Sequence, residues 1–221
     1  MRIAIIGAGR VGKSLGAALR AKGHHVVYGV PQAPGEDIRK SVGAAVASAE
    51  AVILATPWTA AEALICEHAP ALAGKIVIDA TNPLNTNATR LALGFDSSGV
   101  ELLQSHAHGA IFFKAFNAAG ADVIAEPRFP QGRAAMFVAG PSGAEKEIVL
   151  GLVADLGFEA VDAGELRAAR LLEPLGMLWL QLGGRDRRHD VAFVLASRSL
   201  NKSQAALPSA LEAQAEAQEA G

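Results

Sequence analysis

The sequence predicts an α/β fold, a doubly wound and mostly parallel sheet with a short C-terminal helical appendage. Two observations carry this. Short apolar runs alternate with helical patterns along residues 3–161, and the runs are continuous, as in strands buried on both faces. The chain has 221 residues, 51% of them apolar, enough for one such domain plus an appendage and too few for two full domains.

Residues 3–6 read as the first strand, and residues 12–22 as a helix with Leu15, Ala18 and Leu19 on one face and Gly23 as its stop. Residues 25–30 form the second strand, followed by a turn-rich loop holding Pro31 and Pro34. Residues 51–55 are a strand stopped by Thr56-Pro57, and 59–68 a helix. Residues 75–80 are a strand stopped by Thr81-Asn82-Pro83, with further strands at 111–115 and 134–139. Ser142 caps a helix ending near Leu156, with Glu145 completing a capping box, and 158–161 is a last strand. Two helices follow, at 165–182 (kinked by Pro174) and 186–200, separated by Gly183-Gly184. The organisation is thus a dinucleotide-binding domain at 1–163, C-terminal helices at 164–202, and an Ala-, Glu- and Gln-rich tail at 203–221, a frayed helix or a disordered segment.

Composition narrows the function. With 20 basic and 22 acidic residues there is no basic excess to neutralise a nucleic acid backbone. The single cysteine, Cys66, excludes an intrachain disulfide and reads as a small buried residue. The N-terminal apolar stretch is too short for a signal peptide, and no run approaches the ~20 apolar residues of a membrane span, so a cytoplasmic location is expected. The pairs His24-His25 and His106-x-His108 read as loop residues, His68 as a helix end and His189 as part of a solvated helix start; no metal site is expected.

The chemistry is carried by Gly7-Ala8-Gly9-Arg10-Val11-Gly12, which follows a strand and opens a helix. Gly7 permits the turn, Gly9 lets the backbone approach a pyrophosphate, and Gly12 lets helix and strand pack closely. The helix N-terminus offers free N–H groups and a partial positive charge, so a Rossmann-type nicotinamide dinucleotide site is expected here. An NAD-specific fold places an acid at the end of the second strand; here Tyr28-Gly29-Val30-Pro31-Gln32 stands there, with no acid before Glu36. NADP is therefore preferred, with NAD possible, and Arg10, Arg39 and Lys40 are the nearby cations. Thr56-Pro57 and Thr81-Asn82-Pro83 end strands on the ligand side of the sheet and are expected to face the cofactor, where Asn82 can offer an amide to the nicotinamide ribose or carboxamide.

These residues, with Ile53-Leu-Ala-Thr-Pro-Trp58, Ile78-Asp-Ala-Thr-Asn-Pro-Leu84, Lys114-Ala-Phe-Asn117, Phe137-Val-Ala-Gly-Pro-Ser142 and Leu172-Glu-Pro-Leu-Gly-Met-Leu-Trp179, resemble the NADPH-dependent coenzyme F420 reductase family over residues 1 to about 200. The resemblance implies hydride exchange between NADP(H) and a deazaflavin. It implies that Gly7 to Gly12, Thr56, Pro57, Asn82 and Pro83 contact NADP and that Lys114 to Asn117, including Ala115, lie beside the acceptor. The family commonly has a polar-basic pair after the second strand, where this chain has Pro31-Gln32. A related branch uses flavin, so FMN or FAD is an alternative acceptor.

Reduction of a ketone needs a proton donor beside the reacting oxygen. No Lys occurs between Lys146 and Lys202, and about 40 residues of helix are little material for a closed substrate domain. Hydride transfer between two stacked ring cofactors needs no such acid, so no catalytic side chain is assigned. Two rival readings remain, a reductase of a small organic substrate and a non-catalytic NADP(H) sensor. Residues 171–182 are apolar nearly all round and need cover, which predicts a homodimer through this helix.

Overall fold

The computed structural model describes residues 1–31, 38–185 and 190–197. In chain order the elements are β1 (Arg2–Ile6), α1 (Arg10–Ala21), β2 (His25–Gly29), β3 (Arg39–Lys40), α2 (Val42–Ser48), β4 (Ala51–Leu54), α3 (Trp58–Leu72), β5 (Ile76–Asp79), α4 (Gly99–His106), β6 (Ile111–Lys114), α5 (Ala121–Ala125), β7 (Arg128–Phe129), β8 (Gly132–Arg133), β9 (Ala135–Val138), α6 (Ala144–Asp155), β10 (Glu159–Asp162), a 3₁₀ turn (Leu166–Ala168) and α7 (Ala169–Arg185).

Six strands form one parallel sheet in the order β3-β2-β1-β4-β5-β6. The chain runs outward from β1 to β3, then returns to the other side of β1 at β4. That reversal opens a crevice beyond the carboxyl ends of β1 and β4, the place where open α/β sheets take their ligands. The doubly wound, Rossmann-type sheet expected from the sequence is the observed one.

The strands alternate their side chains between two cores. Ile3, Ile5, Ile53, Ile78 and Phe113 pack with Leu15 and Leu19 of α1 on one face. Ala4, Ile6, Val52, Leu54, Val77 and Phe112 pack on the other with α2, α3 and α4. β4 and β5 are buried at every position, which is why their sequences are apolar runs, interrupted only by Asp79 at the end of β5. Helix α1 ends as its sequence demands: Gly23 takes φ 87°, its amide donates to Arg20 O, and the His24 amide reaches Leu19 O.

Several elements differ from expectation. The strand at 134–139 is not part of the main sheet. β9 pairs in parallel with β10, and Lys114 and Ala139 exchange two backbone hydrogen bonds that attach this pair to β6 in antiparallel sense. Ser142 does not cap α6; the N-cap is Gly143 at φ 135°, and the Ser142 hydroxyl donates to Glu165. Serines cap two other helices: Ser41 Oγ accepts from the Ala44 amide of α2, and Ser98 Oγ accepts from the Glu101 amide of α4 and donates to its carboxylate. Helix α3 runs four residues past His68, which lies 3.8 Å from Glu67. Gly183 and Gly184 lie inside α7 rather than between two helices.

Residues 191–197 are neither helix nor strand. They are extended chain tied to the body by Phe193 O, which accepts from Ala135 N, and by Val191 O, which accepts from Trp179 Nε1. Gln32, Glu36, residues 186–189 with His189, and the tail at 203–221 lie outside the described residues. Cys66 is exposed rather than buried, because it sits on the outer side of α3. His24 is buried, with Nε2 3.2 Å from Asp155 on α6, not a free loop residue. His106 ends α4 and lies 3.1 Å from Glu62; among the described residues no three potential metal ligands cluster.

The close packing at the β1–α1 junction gives a stability prediction. A Cβ on Gly12 would lie 2.2 Å from the carbonyl oxygen of Gly7. Gly12→Ala is expected to cost about 1–3 kcal/mol in urea unfolding, whereas Gly9→Ala, whose Cβ meets nothing within 4 Å, is expected to leave stability nearly unchanged.

Candidate functional site

The first turn of α1 begins without a partner for its donors. Its N-cap, Gly9, has no side chain to offer, and the first turn holds no acid. The Gly7 amide is spent on Gly29 O at 3.0 Å, and Lys13 N takes Gly9 O at 2.9 Å. Between them, the amides of Ala8 to Gly12 meet no backbone or side-chain acceptor among the described residues. Gly7, at φ 111°, brings the turn against β4, where a Cβ would lie 2.4 Å from Ala55 O. Gly9 faces open space. The result is a cluster of inward N–H groups at a positive helix end, with room for an anion to approach.

A cleft of about 370 Å³ extends from this turn across the carboxyl ends of β4, β5 and β6. Its polar groups come from Thr56, Thr81, Asn82 and Asn117. Its apolar walls include Trp58, Leu84, Phe116, Trp179 and Leu180. The hydroxyls of Thr56 and Thr81 are buried and have no hydrogen-bond partner. Among the described residues Arg10 is the only ionisable one in the lining, and its guanidinium lies 3.4 Å from Asp122 with both side chains mostly exposed.

One wall of the cleft, α7, is seated by a buried charge cluster. Lys114 Nζ, at the end of β6, donates to Asp79 at 2.8 Å, to Glu173 at 2.9 Å and to Thr81 O at 2.7 Å. All three charged side chains are fully buried. Two carboxylates around one ammonium leave an excess negative charge. Glu173 disperses it by accepting from the Gly99 and Val100 amides, the positive end of α4. Asp79 also accepts from the Thr81 amide. Burial pulls the Lys114 pKa down, but the two carboxylates outweigh it, and the value stands above the ordinary 10.5. A cation whose folded pKa is raised contributes stability in full below its unfolded value, and that contribution is lost only as the pH climbs through the folded value. The cluster therefore holds throughout the neutral range.

A second tie joins the same elements. Asn82 Nδ2 donates to Asn117 O at 2.8 Å, and Asn117 Nδ2 donates to Asn82 Oδ1 at 3.0 Å and to Leu172 O at 2.7 Å. The backbone of α7 passes so near this pair that only a glycine, Gly176, fits.

The residues expected from sequence divide into two groups. Gly9, Arg10, Val11, Thr56, Pro57, Asn82 and Asn117 line the cleft. Gly7 and Gly12 lie behind it and shape the turn, and Ala8 packs on the core. Pro83 is buried, and Ala115, fully buried in the core, does not reach the cleft. Lys114 is fully buried in an ion cluster and is not among the residues that line the cleft. Lys40 lines a separate depression with Arg2 and His25, at the amino ends of the strands. Thr81, in a turn expected to face the ligand, and Phe116, in the segment expected beside the acceptor, line the cleft too, whereas Trp58 was given no role from sequence. Sequence reasoning also missed Trp179 and Leu180, which it had given to a dimer contact; Trp179 is buried within its own chain.

Residues 2–83 match the family described as NADP oxidoreductase, coenzyme F420-dependent. That stretch holds the β1–α1 junction, Thr56-Pro57 and Asn82-Pro83. Among solved structures, the fold matches a candidate F420-dependent NADP-reductase from Arthrobacter sp. FB24, with TM-score 0.82 and 28% identity, covering 89% of this chain and all of that one. It also matches a hypothetical protein of Sinorhizobium meliloti, with TM-score 0.67 and 28% identity, over 76% of this chain and 87% of that one. The metalloreductase STEAP3 of Rattus norvegicus is 29% identical over 192 residues, 80% of this chain but 37% of the relative, so the chain spans little more than a third of that protein's length.

The fold is of the Rossmann type, with a cleft at the place where such sheets take their ligands. Over residues 2–83 the chain carries the pattern of the F420-dependent NADP oxidoreductase family, as its sequence motifs suggested.

Removing the buried ammonium strands two carboxylates. Lys114→Met is expected to cost about 3–5 kcal/mol in urea unfolding at pH 7, far more than loss of an exposed ion pair such as Arg2 with Glu50. A cost below 1 kcal/mol would show that the cluster is not what seats α7.

Proposed function

We propose that this protein transfers a hydride between NADP(H) and a deazaflavin (coenzyme F420) or flavin acceptor. The carrying observation is a cleft with unpaired amides at one end, apolar and aromatic walls at the other, and no His, Lys, Tyr, Asp or Glu among the described residues that line it. Nicotinamide supplies the hydride when the dinucleotide is bound. The chain's own work is to bind, orient and keep water out. The Arg10–Gly12 amides hold the diphosphate at the α1 N-terminus. Thr56 and Asn82 line the path from that turn to the ring-sized end of the cleft. Trp58, Phe116 and Trp179 give planar rings an apolar surface to lie against. NADP over NAD is supported by the absence of an acid in Gly29-Val30-Pro31 at the end of β2 and by Arg10 at the mouth of the cleft.

The test is an acceptor panel. With NADPH as donor, turnover of coenzyme F420, FMN or FAD is expected, and NADH is expected to serve less well. Tight NADPH binding with no turnover of any acceptor would instead favour a nucleotide sensor. Turnover of a small carbonyl or imine compound alone would favour an ordinary reductase.

For partners, we propose a second copy of this chain and neither nucleic acid nor membrane, with the protein working in the cytoplasm. No helix of the described residues is long and apolar enough to cross a membrane. The dimer reading is supported by Leu171, Leu178 and Leu182, which are 73%, 49% and 43% exposed at helical spacing along one side of α7. The double variant Leu178→Glu, Leu182→Glu is expected to sediment as a monomer where the parent sediments as a dimer. A dimer that survives both charges would move the contact elsewhere.

A further inference from the structure

The amide pair at the cleft floor has capacity left over. Asn117 is 6% exposed and spends both hydrogens of Nδ2, on Leu172 O and on Asn82 Oδ1. Exchanging its oxygen and nitrogen would set oxygen against two oxygens, so the orientation is fixed by the network. Its Oδ1 therefore faces away from these partners. Among the described residues its side chain bonds only through Nδ2, and Asn117 lines the cleft. Asn82 accepts through Oδ1 and gives one Nδ2 hydrogen to Asn117 O, leaving the second hydrogen unspent. Neither side chain can turn away. A Cβ at Gly176 would lie 2.6 Å from Asn82 Oδ1 and 2.8 Å from Asn117 Nδ2, so the backbone of α7 fills the space behind them.

An acceptor whose orientation is fixed and which no protein donor takes up is available to a ligand in the cleft, and its neighbour offers a donor. We propose that Asn82 and Asn117 together read a primary carboxamide, Asn117 Oδ1 accepting from its N–H and the spare Asn82 N–H donating to its carbonyl. This rests on the NADP reading, because nicotinamide carries that group. It gives Asn117 a role as a specificity-determining acceptor and makes α7, through Gly176 and Leu172, the element that holds the reader in place. A carboxylate in the same position would set oxygen against Asn117 Oδ1, and a methyl ketone would offer it no hydrogen.

The full-length protein is titrated calorimetrically with NADP⁺, its 3-acetylpyridine analogue, its nicotinic acid analogue and adenosine 2′,5′-bisphosphate, which has no nicotinamide. NADP⁺ is expected to bind about tenfold more tightly than either ring analogue, the worth of one hydrogen bond. Asn82→Asp keeps the oxygen that Asn117 needs and removes the donor. It is expected to weaken NADP⁺ about tenfold and to leave adenosine 2′,5′-bisphosphate unchanged, a control that also reports correct folding. Equal affinity for NADP⁺ and the acetylpyridine analogue, or an Asn82→Asp protein that binds NADP⁺ as the parent does, would overturn the proposal. If the parent binds neither NADP⁺ nor adenosine 2′,5′-bisphosphate, the NADP reading itself fails and the carboxamide reading with it. Binding of the bisphosphate with no discrimination among the rings overturns the carboxamide reading alone.

Discussion

Lys114 joins four elements through one ammonium group. It ends β6, meets Asp79 at the end of β5, fixes the Thr81 carbonyl beyond that strand, and holds Glu173 of α7, which in turn caps α4. Burying three charges is expensive, and it succeeds here because every charge has several partners and the surplus negative charge meets a helix N-terminus. The consequence is positional. Helix α7 has an exposed side and would have little reason to lie across the ends of β5 and β6 on apolar contacts alone. With Glu173 anchored, Trp179 and Leu180, two turns further on, form one wall of the cleft.

The other end of the cleft is made by an absence of side chains. Gly7 and Gly12 let β1, α1 and β4 approach to distances that a Cβ would forbid, and Gly9 leaves the space in front of the turn empty. The helix then begins with donors that no protein group takes up. The two ends fit one kind of molecule, an anion at the turn and flat rings at the far side. Between them the strand-end residues Thr56, Thr81 and Asn82 bring polar atoms to an otherwise apolar channel. The family match covers the first end and the middle, while the wall supplied by α7 lies beyond the matched stretch.

Much of this was legible in the sequence because the sheet is parallel and buried, so its strands read as short, mainly apolar runs. The glycine turn was legible because each glycine has its own steric task. The charge cluster was not, since its members lie 35 and 59 residues apart from Lys114. Each of the three nevertheless left a trace, a charged residue inside an apolar run: Asp79 after Val77-Ile78, Lys114 after Phe112-Phe113, and Glu173 between Leu172 and Pro174. Helix α7 looked apolar nearly all round because its chain covers it on more sides than periodicity could tell, partly with residues 191–197. That segment itself read as helix, but its Phe193 carbonyl is drawn to the open edge of β9. Helices α2, α4 and α5 went unread because they are short, and α2 and α5 bury mainly alanine and valine or isoleucine, which leave little periodicity.

The central claim is that the amides opening α1 are kept free to grip a diphosphate. Hydrogen exchange at single-residue resolution tests it most directly, comparing the amides of Arg10, Val11 and Gly12 with and without saturating NADPH. Slowed exchange at these three positions, at least tenfold beyond the change at Gly7, is the expected result. NADPH bound at saturation with their exchange unchanged would place the dinucleotide elsewhere on the molecule and contradict the claim.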